Sequence, residues 1–158
     1  MKGSGKDENK RAPMYWSKDG NAEGMCKGPA DMDDFRMKFD SLEEQQEDPD
    51  SIYNYVKQVI RVRNQNPVIA RGTTAYLEQY SGEQCFALTR SYEGSNLLLL
   101  GNTSAEAVSV DLTGLTVGGT TAEELVLLGE LYTGEETAER AGTVVTLPAY
   151  SILILGEE

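Results

Sequence analysis

Polar and apolar positions along this chain follow two different periods, after a first stretch that follows neither. Between residues 48 and 66 the period is helical: Ile52, Tyr55, Val56, Val59 and Ile60 fall at i, i+3, i+4, i+7 and i+8 and form one apolar stripe. The flanks predict a helix over 48–66. Asp48 is a good N-cap, Pro49 suits the first helical position, and Asp50 adds negative charge where the helix dipole favours it. Lys57, Arg61 and Arg63 put positive charge toward the other end. Asn66-Pro67 closes the helix, because a proline pushes the residue before it out of the helical region.

From about residue 73 the period becomes two. Thr74–Tyr80, Gln84–Tyr92, Leu97–Gly101, Ala107–Leu112, Glu124–Leu128, Thr143–Leu147 and Tyr150–Leu155 read as strands. Between them lie turn signals: Ser81-Gly82-Glu83, Glu93-Gly94-Ser95, Asn102-Thr103-Ser104 and Gly118-Gly119. Short, closely spaced strands with no helical pattern between them predict a mainly β chain. The expected fold is an antiparallel β-sandwich of Greek-key type, preceded by one amphipathic helix and an irregular N-terminal loop. Leu97–Leu100 and Ile152–Leu155 are unbroken apolar runs, expected to be strands covered on both faces, central to the sandwich or packed under the helix.

Residues 1–48 are rich in Lys, Asp, Glu and Gly, with scattered Met14, Tyr15, Trp16, Met25, Phe35, Met37 and Phe39. Alone, such a segment cannot bury enough apolar area to offset its ordering entropy, so another surface is expected to hold it.

Length and charge narrow the function classes. At 158 residues the chain allows one ordinary domain plus a small appendage. With 26 acidic against 14 basic side chains its formal net charge is −12, which disfavours nucleic acid, whose phosphates are bound through Lys and Arg. There is no histidine, which removes Ser-His-Asp and Cys-His nucleophiles and the usual zinc sites. Cys26 and Cys85 form no CxxC pair and no disulfide framework. No apolar run is long enough to span a bilayer and no signal peptide is read at the N-terminus, so no membrane partner is expected.

Several local patterns suggest chemistry and fall short of it. Gly3-Ser4-Gly5-Lys6 resembles the end of a phosphate-binding loop, but Asp7 stands where Ser or Thr is needed. Asp31, Asp33 and Asp34 suggest a calcium loop, yet Arg36 takes the glycine position and Leu42 the glutamate position. Glycoside hydrolysis needs two carboxyl groups held roughly 5 to 9 Å apart. Glu123-Glu124, Glu135-Glu136 and Glu43, Glu44 and Glu47 read instead as solvated surface. Trp16, Tyr15, Tyr76, Tyr80, Tyr92 and Tyr132 are candidates for stacking on sugar rings, against the plainer reading of ordinary sheet residues with a polar tip.

One stretch is more specific. Met1–Trp16 reads MKGSGKDENKRAPMYW, followed by an acidic loop, the capped helix and the strand-rich tail. This order resembles glycoside hydrolase family 13, the α-amylase family. There a segment like Gly-Met-x-Gly…Asp-x-x-x-Arg-x-Pro-Met-x-Trp follows the eighth strand of a (β/α)8 barrel, and the last barrel helix and a C-terminal sandwich, domain C, come next. The resemblance implies that the chain is a C-terminal fragment. Residues 1–66 would be a barrel remnant, including the final helix 48–66, and residues 67–158 would be domain C.

The family's catalytic Asp, Glu and Asp lie on strands with no counterpart here, so no catalytic residue is expected and the fragment should be inactive and structural. The parent would be a retaining hydrolase of α-glucans such as starch and maltooligosaccharides. Asp7 and Arg11 match a pair that holds glucose in a donor subsite, where a carboxylate accepts from hydroxyls and a guanidinium donates; a local ion pair is the alternative. No cofactor is expected, and any calcium of the parent would lie outside this chain. A free-standing carbohydrate-binding sandwich is the rival function, losing affinity when Tyr76 or Tyr92 becomes Ala. The resemblance also leaves the helix face, with Met14, Trp16, Phe35 and Phe39, without its barrel. Residues 1–66 are then expected to fold onto the sandwich or to pair in a homodimer.

Overall fold

The computed structural model describes residues 11–19, 26 and 38–157. The chain divides into two compact units, Met1–Asn54 and Tyr55–Glu158.

In the first unit the described backbone turns on a capping box. The Ser41 side chain accepts from the Glu44 N–H, while the Glu44 carboxylate accepts from the Ser41 N–H at 3.0 Å and from its hydroxyl at 2.8 Å. This starts a short helix, α1 (Leu42–Glu47). Two further N–H groups of its first turn, those of Leu42 and Glu43, donate to the carbonyls of Tyr15 and Trp16 and so tie down the segment around residue 15.

The next helix, α2, runs Ile52–Gln65 and so starts later than Asp48. Asp48 instead closes α1, its N–H donating to the Glu44 carbonyl, and its carboxylate accepts from the Asp50 N–H to make a turn through Pro49. Ser51 takes over the capping role: its hydroxyl accepts from the Asn54 N–H at 3.2 Å and donates to the Gln45 carbonyl. At the far end Asn66-Pro67 does stop α2, but Pro67 then opens another short helix, α3 (Pro67–Arg71), at the position where a missing N–H costs nothing.

The second unit is the expected antiparallel sandwich. Strands β1 (Thr73–Tyr76), β2 (Cys85–Tyr92), β3 (Ser95–Asn102) and β4 (Val108–Asp111) follow α3. The hairpin β5 (Thr116–Val117) and β6 (Thr120–Thr121) comes next, then β7 (Val126–Leu131), β8 (Glu139–Ala141), β9 (Val144–Leu147) and β10 (Ile152–Gly156). One sheet has the order β1-β2-β3-β10-β7, and the second β4-β9-β8. Tyr92 pairs with Ser95 across a two-residue turn in which Glu93 and Gly94 have φ of 50° and 85°. This double left-handed turn has the twist that antiparallel strands need.

Alternation along β3 and β10 decides how the layers stack. Leu98, Leu100, Leu153 and Leu155 point into one core with Ala87, Val110, Leu112, Val145 and Leu147, which brings the two sheets face to face. Leu97 and Ile154 point the other way, into a second core with Leu131, Val62 and Val68, so α2 and α3 cover that face. The two apolar runs are therefore strands buried on both faces, as their composition predicts. Each leucine fully buried this way contributes about 2 kcal/mol.

The helix seats itself through Tyr55, Val59 and Val62, and Gly129 in β7 makes room for it: a Cβ there would lie 2.9 Å from the Val62 Cγ1. Ile52, Val56 and Ile60, one turn apart, remain 76%, 46% and 52% exposed. The apolar stripe is thus split, with one flank against the sandwich and the other facing outward.

Candidate functional site

Two of the carboxylates singled out by the sequence, Glu44 and Glu124, serve local structure, and so does Asp111. Glu124 accepts from the hydroxyl and the N–H of Thr121 at 2.6 and 3.1 Å, a second capping box. Asp111 accepts from the hydroxyl and N–H of Thr113 and from the hydroxyl of Thr143. These bonds hold the carboxyls of Glu124 and Asp111 below their ordinary range. The bonds from Ser41 do the same for Glu44, with a smaller contribution from Lys18, whose ammonium lies 3.4 Å away. A general acid at neutral pH needs its carboxyl pushed the opposite way. Among the described residues no cluster of His, Cys, Asp and Glu is placed to hold a metal, and no helix is long and apolar enough to cross a membrane.

Asp7, the Gly3–Lys6 stretch and Asp31, Asp33 and Asp34 lie outside the described residues. Arg11 is exposed at the start of the first described stretch, and Trp16 is 47% exposed.

The aromatic candidates separate by what they touch. The Tyr15 hydroxyl donates to the Lys18 carbonyl. Tyr92 packs against the second core, with the Arg71 guanidinium 6.0 Å from its ring centre. Tyr132 donates to a Glu130 carboxylate oxygen at 2.7 Å and accepts from the Ala138 N–H; burial, with Glu130 beside it, pushes its phenol up to about 12. Tyr80 packs on the main core and donates to the Thr113 carbonyl at 3.2 Å. Tyr76 differs, with 60% of its surface open at the edge of the five-stranded sheet.

Tyr76 also borders an open groove of roughly 670 Å³, together with Leu77, Glu78, Gln79, Tyr80, Gly114, Leu115 and Thr116. One wall is the end of β1 and the single 3-10 turn Glu78–Tyr80 that follows it; the other is the loop leading into β5. Of the lining residues the sequence had pointed to Tyr76 and Tyr80 alone. Glu78, Gln79 and Thr116 carry no motif, and only the packing of the first strand beside a loop almost forty residues on brings them together.

No family model matches the chain. Among solved structures, Amy13B of Eubacterium rectale is 39% identical and superposes with a TM-score of 0.86 over 100% of this chain. The α-amylase from H. orenii is 22% identical over 91% of the chain, with a TM-score of 0.68. The trehalulose synthase MutB is 24% identical over 94% of it, with a TM-score of 0.65. These last two share the fold. The chain spans 29%, 28% and 25% of the three proteins' own lengths. Matched along its entire length by a portion of such an enzyme, this chain belongs to the α-amylase family of glycoside hydrolases and corresponds to a C-terminal portion of one.

Proposed function

We propose that this chain is a structural, non-catalytic domain of a hydrolase acting on α-glucans such as starch and maltooligosaccharides. The observation that carries the reading is the agreement with Amy13B over the entire chain. The engagement of Glu44, Asp111 and Glu124 in caps and turns supports it, because a retaining glycosidase needs two carboxyl groups free to face one bond. In this role the sandwich holds α2 in place through Tyr55, Val59 and Val62, and the outward flank of that helix, Val56 and Ile60, supports the remainder of the enzyme. Asp7 and Arg11 contribute a glucose contact to that enzyme, the carboxylate accepting from sugar hydroxyls and the guanidinium donating to them.

The test is to incubate the purified chain with maltoheptaose and follow new reducing ends. None are expected. Turnover that persists through repurification and disappears when a carboxylate of this chain is replaced by its amide would overturn the non-catalytic role.

A further inference from the structure

Strands β1 and β7 lie at the edges of the larger sheet, and β4 and β8 at those of the smaller. The outer side of an edge strand offers its N–H and C=O groups to any other chain, and folded proteins guard that side with charge, bulges or a covering side chain. Strand β7 is guarded by a bulge, since Ile154 pairs with Gly129 but Leu155 with Leu127, and by the Gln58 amide of α2, which donates to the Glu130 carbonyl at 3.1 Å. Strand β8 carries Glu139 and Arg140, and β4 ends on Asp111. Only β1 lacks such a guard. Thr73-Thr74-Ala75-Tyr76 holds no charge and no proline, pairs regularly with β2, and is exposed at every position.

The outward groups of β1 follow from its pairing. The Leu77 N–H donates to the Ala87 carbonyl, and direction alternates along a strand, so Thr73 and Ala75 also face β2. The N–H and C=O of Thr74 and Tyr76 therefore face away, and among the described residues no strand pairs with that side. Charge is divided along the edge. Arg71 precedes β1 and the Arg90 guanidinium donates to the Thr74 hydroxyl, whereas Glu78 follows its far end. A second β1, laid antiparallel, sets each basic end beside an acidic one; a parallel neighbour sets like beside like. We propose that two copies of this chain pair antiparallel through β1, joining their larger sheets across a two-fold axis at Ala75. In this register Thr74 of each copy exchanges N–H···O bonds with Tyr76 of the other, so every outward group finds a partner. Ala75 then meets its own counterpart on the axis, at the close, non-hydrogen-bonded position that a methyl group fits.

The paired strands are short, so association is weak, with a dissociation constant on the order of 0.1 mM. The experiment is sedimentation equilibrium of the full chain from about 10 µM to 1 mM, a range that brackets that value. A mass that doubles across the range is expected, together with slowed exchange of the Thr74 and Tyr76 amides at the upper end. Ala75→Lys and Ala75→Glu each place like charges against one another on the axis, and each alone should remain a monomer. Their equimolar mixture should associate again, because opposite charges then meet. Ala75 is exposed, so both variants should melt as the unsubstituted chain does. A monomer throughout the range, or association that survives Ala75→Lys, overturns the pairing. Association that disappears instead in Ile60→Glu assigns the contact to α2 and overturns it equally. A mixture that stays monomeric overturns the axis at Ala75.

Discussion

Asn102 shows how much one polar residue can do at the end of a buried strand. It is 3% exposed, and its amide donates to the carbonyls of Glu106, Leu147 and Pro148 at 2.7, 3.2 and 2.8 Å. Its oxygen accepts from the N–H and hydroxyl of Ser104. The side chain thus supplies partners to carbonyls of its own turn and of Leu147, forty-five residues further along the chain, which would otherwise be left unpaired in the interior. Asn102→Ala should destabilise the fold by about 2 to 4 kcal/mol, read as a lower urea midpoint with unchanged slope. From the sequence Asn102 is a turn residue and no more, since its carbonyl partners are set by where β9 ends. Tyr132 carries a second residue-scale prediction. Its folded phenol titrates near 12 against an ordinary 10.0, so its contribution is fully present below pH 10 and is lost as pH rises toward 12. Tyr132→Phe should flatten that alkaline limb of a stability–pH curve.

At the scale of elements, the seating of α2 is the most sensitive joint. Gly129→Val places methyl groups where the Val62 side chain now lies, and overpacking of this kind should cost about 1 to 3 kcal/mol, measured by thermal melting. Val62→Ala in the same background should recover part of the loss, since it removes the side chain that collides. The long, strongly patterned elements were legible: β2, β3, β4, β9 and β10 lie within a residue or two of the segments read from alternation. The helix was legible in kind but not in its start, because Asp48-Pro49-Asp50 suits a turn as well as a cap and Ser51 competes for the capping role. The short elements β5, β6 and β8 hold two or three residues each, too few to display a period. By contrast α1 does carry a signal in the sequence, the Ser41–Glu44 capping box, within a run whose glutamates otherwise resemble solvated surface.

For the whole molecule, charge sets the response to acid. The folded carboxyls of Glu44, Asp111 and Glu124 titrate below their ordinary values of 4.5, 3.8 and 4.5. Their contribution is complete above those values and is lost as pH falls through the depressed ones. A melting series should therefore decline on the acid side from about pH 4.5 downward, and Thr121→Ala with Thr113→Ala should make that decline shallower. The exposed flank of α2 gives a second measurement at this scale. Pairing of two copies through Val56 and Ile60 predicts a sedimenting mass that doubles with concentration and returns to the monomer in Ile60→Glu; a constant monomer mass rules that pairing out.

What the amino-acid sequence determined by itself is local and repetitive. Alternation set the strands, the doubly apolar runs set which of them lie at the centre, and the Asp-x-x-x-Arg-x-Pro-Met-x-Trp spacing led to the family that Amy13B confirms. Those features survive because each is written in residues a few positions apart. What only the tertiary structure decided is which flank of α2 is covered, what Asn102 bonds, and that Tyr76 and Thr116 line one groove. Each of these depends on residues distant in the chain meeting across a sheet, and no period or short motif encodes that meeting.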